Sequence, residues 1–301
     1  MDNFIVSARK YRPATFASVV GQSHITSTLR NAIARRQLAH AYLFCGPRGV
    51  GKTTCARIFA KAINCLDPAA DGEACNECES CRAFNEGRSF NIHELDAASN
   101  NSVDDIRTLT EQVRIPPQIG RYSVYIIDEV HMLSLQAFNA FLKTLEEPPA
   151  HAVFILATTE LHKVPATILS RCQRFAFRRI VPEDIVGRLN YIAYQEHITL
   201  EPEAASFLAR LADGGLRDAV SLLDQCASAT TEAVTVDQVC RTLGIAGARA
   251  TAAMLRAIAK HDTAETLAVF NEQYVEGKDL AAMLNELCAV TRDLLICKTA
   301  P

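Results

Sequence analysis

The stretch AYLFCGPRGVGKTTCARIF, residues 41–59, decides the fold. An apolar, strand-like run (41–45) leads into Gly46-Pro47-Arg48-Gly49-Val50-Gly51-Lys52-Thr53, then Thr54 and a helical pattern. The octapeptide fits G-x-x-x-x-G-K-[ST], in the context that pattern requires: after a strand and opening a helix. Its glycines let backbone N–H groups close around phosphates, and the helix N-terminus favours negative charge there. In such a loop Lys52 reaches the β- and γ-phosphates, and the Thr53 hydroxyl joins the Mg²⁺ shell.

Outward from this loop, short apolar runs alternate with helical patterns through the first 180 residues: AYLFC (41–45), NIHELDA (91–97), SVYIID (123–128), AVFILAT (152–158) and RFAFR (174–178). Continuous runs such as VYIID suit strands buried on both faces, and helices between them imply right-handed crossovers in an α/β domain. After RRIVPEDI the β pattern stops. PEDIVGRLNYIAYQE, EPEAASFLARLA and LRDAVSLLDQCAS read as helices within 182–242, GIAGARA (244–250) as a joint, and 251–297 as about three more amphipathic helices.

The balance of 49% hydrophobic and 22% charged residues is globular, and a formal net charge of −3 excludes a strongly basic protein, confining any nucleic-acid contact to one face. No apolar run approaches the ~18 residues of a membrane span, and MDNFIVSARKYRPATF lacks a signal-peptide pattern. Both point to the cytoplasm.

The acidic strand VYIIDEVH follows the glycine loop by about 75 residues. Asp128 at its end suits metal coordination, and Glu129 is placed to polarise an attacking water. A further run, ILATTELHKVPATILSRCQRF, reads as a buried strand beside the acidic one, ending in Thr158-Thr159 with a hydroxyl near the γ-phosphate. Together these describe a nucleoside-triphosphate-hydrolysing machine.

Eleven cysteines, an odd number in a large chain, do not suggest a disulfide framework. Cys65-x9-Cys75-x2-Cys78-x2-Cys81 supplies four soft ligands suited to a closed tetrahedral Zn²⁺ site, structural because no coordination position stays open. An iron–sulfur cluster and a redox C-x-x-C pair are the alternatives. The other cysteines (Cys45, Cys55, Cys172, Cys226, Cys240, Cys288, Cys297) read as buried small hydrophobes.

In order, KYRPATFASVVGQSHI, GPRGVGKTT, CxxCxxC, IIDEVHMLS, LEEPP, LATTE, SRC and GGLRDAVSLLDQ resemble the gamma/tau subunits of bacterial DNA polymerase III, AAA+ ATPases of the sliding-clamp loader. The likeness is close over about residues 7–245 and topological beyond. It implies a five-stranded parallel P-loop AAA+ domain over 1–179 with a zinc module at 65–81. A small helical lid over 180–243 and the start of a helical collar over 244–301 follow. Arg12, Pro13, Val20 and Gly21 match segments that enclose the adenine. Thr159 matches sensor 1, with Thr158 the alternative, and Arg217 matches sensor 2. Arg171 of SRC matches an arginine finger that reaches the neighbouring subunit's ATP. The four cysteines match the family's zinc module.

The resemblance also implies partners: delta and delta-prime subunits, further gamma/tau copies, the sliding clamp, and primer-template DNA held through its phosphates. DNA-contact candidates are Arg107, Ser134, Lys143 and Thr167, although Leu135 and Asn100 stand where a basic residue would have helped. Family chains extend past position 301, so contact with the polymerase core belongs to a C-terminal tail outside this sequence. Rival readings are a branch-migration helicase of the same class and a non-hydrolysing scaffold like delta-prime. Intact Lys52, Thr53, Asp128 and Glu129 argue against the scaffold, and the four-cysteine insertion argues against the helicase.

Overall fold

The computed structural model describes residues 6–299 except 118 and 231. Its strands are β1 (Ala41–Cys45), β2 (Ile92–Asp96), β3 (Ser123–Asp128), β4 (Ala152–Thr158) and β5 (Gln173–Ala176). The α-helices are α1 (Ser7–Lys10), α2 (Ser23–Ala34), α3 (Lys52–Ile63), α4 (Glu79–Asn85), α5 (Val103–Val113), α6 (Leu135–Glu146), α7 (Ala166–Leu169), α8 (Pro182–Gln195), α9 (Pro202–Leu211), α10 (Leu216–Ser228), α11 (Val236–Leu243), α12 (Ala248–Ala259), α13 (Thr263–Val275) and α14 (Leu280–Thr299). The five strands form one sheet in the order β2-β3-β4-β1-β5, every pair parallel. This is the expected five-stranded α/β sheet, with the acidic strand β3 beside β4.

Burial follows the period of two. Tyr42, Phe44, Ile126 and Ile155 face one core with Phe16, Leu29 and Phe59. Leu43, Tyr125, Ile127, Phe154 and Leu156 face another, with Ile106 and Leu109 of α5 and Phe138 and Phe141 of α6. The three inner strands are therefore apolar at nearly every position, while the edge strands β2 and β5 are half-exposed and more polar. Rings lock both faces: Tyr42 meets Phe59 edge-on at 4.9 Å, and Phe141 meets Phe154 edge-on at 5.2 Å. Each buried ring contributes about 2–3 kcal/mol through area removed from water. The buried Tyr42 hydroxyl accepts from the Ala39 N–H, and burial pushes its pKa up to about 12.

The chain divides into two compact units. One runs to Arg188 and takes in Ala212–Val220; the other comprises Leu189–Leu211 and the chain from Ser221 onward. In the second unit α9 packs on α11, and α12 packs on α13 and α14. The region 182–242 holds a fourth helix, α11, beyond the three read from sequence; Thr235 caps it by accepting from the Gln238 N–H. For three of the seven cysteines read as buried the expectation fails. Cys288 and Cys297 are exposed and Cys172 is only half-buried. The first two lie on α14, where Leu284, Leu294, Leu295 and Ile296 are exposed as well, so the described residues cover α14 only in part, at Met283 and Leu287. Among the described residues no helix is long and apolar enough to cross a membrane.

Candidate functional site

The glycine-rich loop links β1 to α3 at the C-terminal edge of the sheet, where ligands of open α/β sheets collect. Two glycines are needed there by geometry. Gly51, the N-cap of α3, has φ 102°, a region that L side chains rarely adopt. At Gly46 a Cβ would lie 2.4 Å from the Phe177 carbonyl oxygen, because the loop runs against the strand exit of β5. The Gly46 N–H donates to the Thr158 carbonyl (3.2 Å), which fixes the loop's start to the end of β4.

Lys52 is 6% exposed, and its Nζ donates to the carbonyls of Gly46 (2.8 Å) and Pro47 (2.7 Å). Burial lowers its pKa, with Glu129 and Asp128 opposing the shift, so the ammonium faces two carboxylates across the loop. Thr53 Oγ1 donates to Asp128 Oδ2 at 2.6 Å, and Asp128 Oδ1 accepts from the Glu129 N–H at 3.0 Å. Glu129 takes a left-handed turn (φ 47°), and its Oε2 accepts from Thr159 Oγ1 (3.0 Å) and the Thr159 N–H (3.2 Å). The turn carries the carboxylate from β3 onto the end of β4.

The structure thus brings Lys52, Thr53, Asp128, Glu129 and Thr159 together. Thr158, also at this edge, is fully buried, and its hydroxyl meets His131 Nδ1 at 3.0 Å. Arg217 enters through its backbone, the N–H donating to the Gly49 carbonyl at 3.3 Å, and Gly215 packs on the Arg48 carbonyl. Arg12 lies in electrostatic reach of the same groups. Partial burial, then Arg57 and Arg217, lower its pKa, and Glu94 and Asp128 oppose the shift. Val50 is buried, Pro13 and Val20 are half-buried, and Thr54 follows Thr53 on the first turn of α3.

Other candidates lie elsewhere. Arg171 Nη1 donates to the Thr167 carbonyl (2.7 Å) and Nη2 to Glu146 Oε1 (2.5 Å), at the end of α7. Arg107 pairs with Asp104 on the surface of α5, and Ser134 Oγ caps α6 by accepting from the Ala137 N–H at 3.2 Å. Lys143 and Thr167 are exposed.

Two contributors escape sequence reading. Gln22, fully buried, donates through Nε2 to the Arg178 carbonyl (2.7 Å), and its Oε1 accepts from the Arg178 N–H (3.3 Å). His131, nearly buried, stands 3.4 Å from Glu129 Oε2 and 3.3 Å from Glu160 Oε1, joining the acidic turn to the loop after β4. Its position two residues after Glu129 was the available signal.

The four cysteines also converge. The Sγ atoms of Cys65, Cys75, Cys78 and Cys81 all lie within 4.8 Å of one another, with pairs at 3.5, 4.0 and 4.0 Å. A tetrahedral centre with Zn–S bonds near 2.3 Å needs S···S separations of about 3.8 Å, so the cluster fits a zinc ion. Burial raises the Cys78 pKa, but N–H donors from Leu66 and Cys81 and the neighbouring thiols outweigh it and bring the pKa down to about 6. The Lys61 ammonium lies in coulombic reach of Cys81 and Cys65.

Comparison with known proteins supplies the family. The profile of the DNA polymerase III delta subunit matches residues 21–181. That of the DNA polymerase III clamp loader subunit ATPase lid matches 184–231, and that of gamma and tau domain III matches 234–301. DNA polymerase III subunit tau of Bacillus subtilis is 48% identical over 293 residues, 97% of this chain and 52% of the relative. Its Escherichia coli counterpart is 42% identical over 299 residues, 99% of this chain and 46% of the relative. Subunit gamma of Buchnera aphidicola (subsp. Acyrthosiphon pisum) is 36% identical over 285 residues, 95% of this chain and 79% of the relative. The chain therefore spans about half the length of the tau relatives it matches. Among solved structures, the Thermotoga maritima RuvB Holliday junction branch migration motor has a TM-score of 0.59 at 20% identity, covering 82% of this chain and 79% of that one. At that identity the likeness speaks for the fold alone. With three consecutive family profiles and these relatives, the chain belongs to the gamma/tau family of DNA polymerase III clamp-loader subunits, built on the AAA+ ATPase fold.

Proposed function

We propose that this chain is an ATPase subunit of the replicative sliding-clamp loader, in which ATP binding and hydrolysis drive clamp opening and loading onto primer-template DNA. The observation that carries this reading is the convergence of Lys52, the Thr53–Asp128 pair and the Glu129–Thr159 pair on one sheet edge. Lys52 and the loop N–H groups, including those of Arg48, Gly49, Val50, Gly51, Thr53 and Thr54, bind the phosphates. Thr53 and Asp128 hold Mg²⁺, which when bound neutralises charge on the transferring phosphoryl. Glu129 orients and polarises the attacking water, and Thr159 holds that carboxylate in place. Arg217 contacts the phosphates of its own chain, while Arg12, Pro13 and Val20 enclose the adenine.

Arg171 is bonded to Glu146 and the Thr167 carbonyl, away from the loop of its own chain, which supports a finger acting on a neighbouring copy. A finger supplied in trans contributes roughly 10³–10⁵ in rate in comparable systems. The division into an ATP-binding domain (1–179), a lid (180–243) and a collar (244–301) belongs to the same proposal. So do a structural Zn²⁺ on the four cysteines and partnership with delta, delta-prime, further gamma/tau copies and the clamp. DNA is followed through its phosphates, with Arg107, Ser134, Lys143 and Thr167 as candidate contacts. The setting is the cytoplasmic, nucleoid-associated replisome.

The test is steady-state ATP hydrolysis by this chain assembled with delta and delta-prime, with and without clamp and primed DNA, beside Arg171→Ala. Strong stimulation by clamp and DNA, lost in a variant that still binds ATP, supports the reading; turnover indifferent to both refutes it. Metal analysis should return one zinc per chain, and iron instead would overturn the zinc assignment.

A further inference from the structure

The cysteine module reaches the nucleotide site through polar contacts that none of the roles above uses. The segment 12–18 runs from Arg12, within electrostatic reach of Asp128 and Arg217, to a short turn, Phe16–Ser18, whose Phe16 ring is buried in the core. The module holds this segment at two points. Glu73, two residues before Cys75, accepts the Phe16 N–H on Oε2 (3.1 Å) and the Ala17 N–H on Oε1 (2.9 Å). Each carboxylate oxygen thus takes one orphan amide at the start of the turn, a charge-assisted arrangement.

Lys61 supplies the second point. It lies on α3 at 3% exposure and donates to the Ala14 carbonyl (3.0 Å), Asn76 Oδ1 (2.6 Å) and Asn85 Oδ1 (3.4 Å). All three ammonium hydrogens are used, one on the segment, one on the module and one on the end of α4, the helix that carries Cys81. Asn76 stands between Cys75 and Cys78 in a left-handed conformation (φ 62°), and Asn85 ends α4. Arg12, Ala14, Lys61 and Phe84 line one small cleft where segment, α3 and α4 meet.

We infer that the four-cysteine module acts within its own chain as a clamp on the segment 12–18, with Glu73 and Lys61 as positioning residues that pre-order Arg12 and Pro13 for the nucleotide. This rests on the reading of the glycine loop as an ATP site. The physical effect is pre-organisation: a segment already fixed loses less conformational freedom when the nucleotide binds, so affinity rises without any new contact to the ligand. Without Glu73 two amides lose a charged acceptor, and the nucleotide itself must order the segment.

The test compares the full chain with Glu73→Ala, Glu73→Gln and Glu77→Ala, the last removing an exposed acid of the same module. Three quantities are read: Kd for a fluorescent ADP analogue with Mg²⁺, amide hydrogen exchange at Phe16 and Ala17, and bound zinc. Glu73→Ala is expected to weaken binding about tenfold, to speed exchange at both amides, and to leave zinc content unchanged. Glu73→Gln, whose amide oxygen still accepts, falls between it and wild type, and Glu77→Ala matches wild type. Faster exchange with unchanged Kd, or unchanged exchange, overturns the inference. Lys61→Met, interpreted only where zinc content and circular dichroism match wild type, gives the same weakening. Lys52→Ala separates the two levels: if it binds the analogue as wild type does, the ATP-site reading itself falls.

Discussion

Gln22→Ala tests how the site is held from below. Gln22 is fully buried, and its amide grips the Arg178 peptide at both ends, with the Val50 carbonyl 3.5 Å from Nε2. It therefore ties the segment before α2 to the chain leaving β5, beside the glycine loop. Truncation removes two hydrogen bonds worth about 1 kcal/mol each. Arg178 itself is exposed, so water can replace part of what its peptide loses, and the expected cost is about 2 kcal/mol. With a urea m-value of about 2 kcal/mol/M, the unfolding midpoint of the nucleotide-binding unit falls by about 1 M. Gln22→Leu, which keeps the volume and loses the bonds, should fall nearly as far. The assay is urea titration followed by a probe in the first unit, with binding of the ADP analogue measured alongside and expected to weaken severalfold. A midpoint within about 0.2 M of wild type for both variants, on the same scale, would refute the reasoning.

Thr159→Val removes the hydroxyl that holds Glu129 Oε2 and should leave nucleotide binding intact while slowing turnover about 10- to 100-fold; equal loss of binding would contradict that role. Gly46→Ala places a Cβ against the Phe177 carbonyl, so analogue binding should drop at least about tenfold through displacement of the loop. Outside the four-cysteine module, alkylation with iodoacetamide near pH 8 should reach the exposed Cys288 and Cys297 first. Cys55, fully buried and with a pKa that burial pushes up to about 12, should react only on unfolding, because the thiolate is the nucleophile. The half-buried Cys172, its pKa also pushed up to about 12, should react slowly. Mass mapping that finds Cys55 labelled as fast as Cys288 would contradict the packing.

The inner sheet was legible because its strands are buried on both faces. AYLFC, SVYIID and AVFILAT coincide with β1, β3 and β4, whereas the edge strands β2 and β5 depart from the sequence reading by a residue or two, since half-exposed edges carry mixed residues. The glycine loop and its acidic partner were legible because their chemistry fixes residue type and spacing together. Helix α11 carries an apolar pattern at Val236, Val239, Cys240 and Leu243 behind a threonine cap, but a Thr- and Val-rich approach hides its start. Gln22 and Glu73 act on partners remote in sequence, which no local pattern reveals, and His131 left only its nearness to Glu129 as a signal. Lys61 left a trace: a lysine inside the apolar run IFAKAI (58–63) must find buried partners. The exposure of Cys288 and Cys297 was illegible, because an apolar helix reads the same whether its cover is its own chain or another.

A mixing experiment puts the proposed shared ATP site to the most direct test. Under that proposal Lys52→Ala chains lose their hold on the phosphates but still carry Arg171, whereas Arg171→Ala chains bind ATP but offer no finger. Each, assembled alone with clamp and primed DNA, should turn over near background. Mixed before assembly, they should regain turnover, because an intact loop then sits beside an intact Arg171. A mixture no more active than the sum of the separate assemblies would contradict a site completed by the neighbouring chain.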